Sequence, residues 1–166
     1  MIRIFKAGNG MNIVGQGGRI ILFALPSVVA AILVHLRLPA TAALPAALSP
    51  LRALGYVLLV PGALLWIGGI VQLVMGFPKG KLITRGAYGV CRNPIYSSFI
   101  VFILPAVSIL TLTWVYFGVA AILYAGVRLF IGKEEKQLLH VFGDEYARYL
   151  ARVSRILPFV KPAGPK

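Results

Sequence analysis

Residues 96–131, "YSSFIVFILPAVSILTLTWVYFGVAAILYAGVRLFI", contain a single charged side chain, Arg128. At a rise of about 1.5 Å per residue, 96–112 and 114–131 each cross most of a hydrocarbon core about 30 Å thick. Little more than Thr111 to Thr113 separates them, so the stretch predicts a tight antiparallel helical hairpin with an uncharged tip. Two further apolar runs, 19–36 and 54–77, precede it and bring the expected number of membrane-spanning helices to four.

Composition agrees. The chain has 166 residues, 59% hydrophobic and 13% charged, with a mean hydropathy of +0.87, outside the balance of a soluble globular domain. A net charge of +13 would suit nucleic acid only on a polar surface, which these runs do not provide. It suits anionic lipid headgroups instead, so membrane lipids are the expected partner. The lone Cys91 makes an internal disulfide impossible, and His35 and His140 are far apart in the sequence, so no metal site is expected.

Residues 19–36 admit a second reading. Arg3, Lys6 and Arg19, then "IILFALPSVVAAILV" and "ATAA", imitate a secretory signal with a small-residue cleavage site. We read the run as a helix. Pro26, Pro61 and Pro105 fall inside three of the four runs and predict kinks. Gly62, Gly68, Gly69, Gly76, Gly118 and Gly126 predict close helix approach.

Orientation follows from the basic residues. With the N-terminus inside, 15 of the 17 Lys and Arg fall on that side and only Arg37 and Arg52 on the other. The positive-inside bias therefore predicts cytoplasmic termini and a cytoplasmic loop from 78 to 95. The expected organisation is one all-α domain: an N-terminal arm (1–18), a membrane region (19–131) and an amphipathic tail (132–166). In the tail Leu138, Leu139, Phe142, Tyr146, Tyr149, Leu150 and Val153 recur at helical spacing, and Gly143-Asp144 predicts a stop and a fresh start.

The only side-chain carboxylates are Glu134, Glu135, Asp144 and Glu145, all expected on the same face as the loop "GVCRNPIY" (89–96). Each piece has an ordinary explanation. Asn93 and Pro94 can start a helix, Arg92 can meet headgroups and Tyr96 can sit in an aromatic belt. Glu134 and Glu135 can pair with Lys133, Lys136 or Arg128 at little energetic gain.

Taken in order, however, these pieces carry a resemblance. Leu82, Gly86 and Tyr88, then Arg92, Asn93, Pro94 and Tyr96, form the first part. Glu134, Glu135 and Leu138 follow after the hairpin, then Phe142, Gly143, Tyr146 and Tyr149, and finally Leu157 and Pro158. Over about half of the chain this set resembles the isoprenylcysteine carboxyl methyltransferase and phospholipid methyltransferase family of integral membrane enzymes. Asn93 stands where that family more often has His.

The resemblance implies S-adenosylmethionine as cofactor and a lipophilic substrate, either a prenylcysteine-type carboxylate or a phospholipid amine. It implies a cofactor site from Leu82, Tyr88, Arg92, Asn93, Pro94, Tyr96, Glu134 and Glu135. In that site Glu134 and Glu135 accept bonds from amino or ribose groups, backbone near Asn93 and Pro94 takes the carboxylate end, and Tyr88 and Tyr96 face the cation or adenine. Arg128, two turns before Glu135 and near membrane depth, is a candidate for a substrate carboxylate or phosphate, or equally a snorkelling arginine. We expect Arg128 and Glu135 to be the residues nearest the chemistry. Two other readings stand beside this one: an NADPH-dependent double-bond reductase of the sterol-reductase type, and a non-enzymatic lipid-binding membrane protein.

Overall fold

The computed structural model of the protein describes residues 17–76 and 80–158. The expected N-terminal arm lies outside the described residues except for its last two positions. In chain order the helices are α1 (Gly17–Arg37), α2 (Pro39–Ala42), α3 (Arg52–Gly76), α4 (Ala87–Val90), α5 (Pro94–Ser97), α6 (Leu104–Thr111) and α7 (Val115–Arg152). A 3-10 turn, Ala46–Leu51, leads into α3, and a π-helical stretch, Ser98–Ile103, joins α5 to α6.

Four runs are long and apolar enough to cross a membrane: Gly17–Arg37, Ala46–Gly76, Pro94–Thr111 and Val115–Arg152. The chain is an all-α, multi-pass membrane protein. Leu22, Leu64 and Leu129 are each about two-thirds exposed. In water such surface would be a liability, but against acyl chains it carries no penalty.

The helices pack in sequence across the molecule. α1 lies on α7, α7 on α6, and the α5–π–α6 run on α3. Along α3, Gly55, Gly62, Gly69 and Gly76 recur every seven residues and form one seam. A methyl group added there would lie 2.7 Å from Leu110, 2.9 Å from Phe102, 3.1 Å from Pro94 and Ile95, and 2.7 Å from Ile83. A strict seven-residue seam is the geometry of shallow left-handed helix crossing. Three of these glycines were legible as packing residues; Gly55 and the seam itself were not. Gly126 is met by Phe23 at 3.0 Å, but Gly118 faces open space, so it is not a contact glycine.

The prolines act unequally. α1 and α3 continue through Pro26 and Pro61. Before Pro105 the backbone adopts π-helical bonding, which accommodates the donor that proline lacks. The hairpin tip turns at Leu112, which is left-handed at φ 50°. Thr113 N–H returns to the Ser108 carbonyl at 2.9 Å.

The tail differs from expectation in two respects. α7 does not stop at the end of its apolar run; it continues through Glu134 and Glu135 and breaks only at Gly143, where φ is +49°. The break falls where the glycine allowed it. Beyond it Tyr146 and Tyr149 are buried, whereas Leu139, expected on the apolar face, is 43% exposed.

Candidate functional site

At the end of the bundle that holds the acidic residues, the segment 154–158 folds back as a strap over the start of α5. Arg92 N–H donates to the Ser154 carbonyl at 2.8 Å. Asn93 Nδ2 donates to the Arg155 carbonyl at 3.0 Å, and Ser97 Oγ to the Ile156 carbonyl at 2.6 Å. Three consecutive carbonyls are thus read in register by residues 92, 93 and 97. Ile156 is also buried with Ile20, Val127 and Ile131, so an apolar plug holds the strap as well.

Asn93 occupies the N-cap position of α5, as expected, but its side chain makes no capping bond. Its amide is spent on the strap. Pro94 is buried as the first helical residue and fills the seam at Gly69. The loop before it is held to α3 by Gln72, whose Oε1 accepts Ala87 N–H at 3.0 Å. Gly86 has φ +61°, and any side chain there would run into the Gln72 amide. Tyr149 closes the arrangement by donating to the Tyr88 carbonyl at 2.6 Å.

The strap brings charge with it. Glu135 accepts from Arg155 Nε at 3.0 Å on one oxygen and from Arg155 Nη2 on the other. Arg92 Nη1 lies 3.1 Å from the same Glu135 Oε1. The loop and the acidic pair therefore meet, as the two motifs required. The partners of Glu135 are Arg92 and Arg155, however, and not the neighbouring Lys133, Lys136 or Arg128. Among the described residues, Arg155 is the participant that sequence reasoning missed. It is one of many basic residues in the tail, and only the strap's register singles it out.

The ion pair between Arg92 and Glu135 is incomplete. Nη1 is at ion-pair distance but off the line of a hydrogen bond, and Nε and Nη1 of Arg92 are both buried without a hydrogen-bond partner among the described residues. The Arg92 side chain is only 10% exposed and that of Glu135 13%. Buried guanidinium N–H groups that bond to nothing cost free energy, so this cation is suited to an incoming anion.

Glu134 acts on tyrosines. Its charge is felt by Tyr88 and Tyr96, both half-buried. Burial, reinforced by Glu134, pushes the Tyr88 phenol well above its usual range, so it stays a neutral donor. Cys91 is fully buried, and burial raises its thiol. It is not an activated nucleophile.

Two expected residues have no hydrogen bond or ion pair to this cluster among the described residues. Arg128 is exposed on the outer surface of α7, and Leu82 is half-buried in the loop ahead of α4. Thr84, Glu145, Arg148, Ala151 and Arg152 line a cavity of about 490 Å³, and none of the charged cluster lines it. No known family model, curated protein or solved structure matches the chain.

Proposed function

We propose that the protein is a membrane-embedded S-adenosylmethionine-dependent methyltransferase acting on a lipophilic acceptor. The observation that carries this reading is the buried Arg92 guanidinium, whose Nε and Nη1 make no hydrogen bond among the described residues, set within the ordered motifs. S-adenosylmethionine has a carboxylate, an ammonium and a sulfonium, and the two faces of the cluster match those charges.

Arg92 takes the carboxylate end. The backbone alternative near Asn93 and Pro94 has less to offer: the Arg92 N–H is bonded to Ser154, and Pro94 has no N–H. Glu134, with the faces of Tyr88 and Tyr96, takes the cationic end. Glu135 lies between two arginines, so it is poorly disposed toward a second cation. When bound, the cofactor supplies an activated sulfonium methyl; the protein's part is to align it with the acceptor and exclude water.

The acceptor arrives from the bilayer. Arg128, on the α7 surface at the end of the apolar run, is the candidate to meet its carboxylate or phosphate. A carboxylate acceptor comes ready as a nucleophile, whereas an amine must first lose its proton. The positive-inside bias puts this end of the bundle, and both termini, in the cytoplasm, where the polar cofactor is available.

Saturable binding of labelled S-adenosylmethionine to the purified protein, with no binding of NADPH, is the expected result. Methyl transfer from the labelled cofactor to extracted lipids or a prenylcysteine analogue then names the acceptor. Binding of NADPH alone would favour the reductase reading, and binding of neither the lipid-binding one.

A further inference from the structure

The way Glu135 divides its bonds has a consequence for Arg92. A carboxylate and a guanidinium prefer the two-bonded fork, in which both oxygens face two N–H groups. Glu135 makes that fork, but with Arg155, through Nε and Nη2 on its two separate oxygens. Arg92 is left with a single off-line approach through Nη1, and its buried Nε and Nη1 make no hydrogen bond among the described residues. Both arginines are within reach of the same carboxylate, and only one can hold it by the fork.

We propose that Arg155 is a positioning residue: by occupying Glu135 in a two-bonded fork, it keeps the Arg92 guanidinium available to bind the anionic end of a ligand. Asn93 and Ser97 support it by fixing the strap through the Arg155 and Ile156 carbonyls. Arg155 itself touches no ligand. Without it, the nearest donor fork for Glu135 is Arg92, which turns onto the carboxylate and satisfies its own N–H groups.

The identity of the ligand rests on the methyltransferase reading; the competition between the two arginines does not. Two measurements keep them separate. The first is the side-chain ¹⁵N spectrum of the arginines in ligand-free protein, with the Arg92 Nε–H signal assigned by its loss in Arg92→Lys. In Arg155→Gln that signal shifts to a hydrogen-bonded position. In Arg155→Lys it moves part-way, because an ammonium engages Glu135 without the planar fork. In Glu135→Gln/Arg155→Gln the signal returns toward wild type, because the competing carboxylate is gone.

The second measurement is the affinity for S-adenosylmethionine. Arg155→Gln binds at least about tenfold more weakly, the scale of a lost charge-assisted bond. Glu135→Gln/Arg155→Gln recovers most of that loss, which a merely unstable single variant would not do. An unchanged Arg92 signal in Arg155→Gln overturns the proposal, as does a double variant that binds no better than Arg155→Gln. Should wild type bind no S-adenosylmethionine while the Arg92 signal moves as described, the methyltransferase reading fails and the competition stands.

Discussion

The two ends of the bundle perform the same mechanical task with different chemistry. At one end the hairpin tip is tied to the α1–α3 connection without any charge. Leu44 N–H bonds the Leu112 carbonyl at 2.7 Å, Trp114 N–H the Ala42 carbonyl at 3.1 Å, and Thr113 Oγ1 the same Ala42 carbonyl at 2.8 Å. Trp114 Nε1 adds a bond to the Thr41 carbonyl at 3.1 Å. At the other end the strap is tied to α5 by three comparable bonds, and then two arginines and a glutamate are placed beside them, largely out of water.

The neutral end shows that such loops can be secured by ordinary hydrogen bonds. The charge at the opposite end is therefore more than fastening requires, and partly dehydrated charge is expensive unless it is used. Buried, incompletely satisfied ions are a signature of binding or chemistry. That contrast, more than any one motif, separates the α5 start from an ordinary interfacial helix.

The contrast can be broken most severely at Arg92. Arg92→Gln keeps some hydrogen-bonding capacity but loses the charge, and S-adenosylmethionine affinity is expected to fall roughly ten- to hundredfold, the range for a charge-assisted bond. Isothermal titration reads it directly; an unchanged affinity would remove Arg92 from the site.

Next comes Asn93→Leu, which leaves the Arg155 carbonyl without its donor and is expected to cost about 1–2 kcal/mol of strap stability. Asn93→His restores a ring N–H donor and most of the protection. Cys91 reports the difference. Buried under an intact strap, its thiol reacts slowly with maleimide at pH 7–8. Because its pKa is raised above the ordinary 9.0, labelling continues to accelerate with pH beyond that value. Asn93→Leu labels faster, and equal rates in the two proteins would show that the strap does not depend on Asn93.

The neutral end should respond less. Thr113→Val removes one of the two donors on the Ala42 carbonyl, so a loss of about 0.5–1 kcal/mol in denaturation is expected, with no change in cofactor binding. Trp114→Phe, at an exposed position, should cost about 0.5 kcal/mol or less. A loss of cofactor affinity in either variant would mean the two ends are coupled.

Much of this architecture is legible in the sequence because hydrophobic run length is a direct consequence of bilayer thickness. The four spans, the hairpin and the break at Gly143 follow from composition and one glycine. The meeting of "CRNPIY" with Glu135 also follows, since an even number of crossings returns the chain to the same face. What stays hidden depends on side-chain partners. The amide of Asn93 could cap α5 or reach another segment, and only the position of the strap decides it. Glu135 has several arginines and lysines at plausible sequence distances, and its choice of Arg155 is a tertiary fact. The continuation of α7 past Ile131 was obscured because the change from apolar to charged residues marks the end of the hydrocarbon run and not the end of the helix.

The central claim is that the charged end binds an anion-bearing cofactor through Arg92 while the neutral end only fastens the fold. Equilibrium titration of S-adenosylmethionine into wild type, Arg92→Gln and Thr113→Val tests it in one experiment. We predict saturable binding to wild type and Thr113→Val with equal affinity, and binding weakened by at least about tenfold in Arg92→Gln. Absence of binding to wild type, or equal affinity in all three, would contradict it.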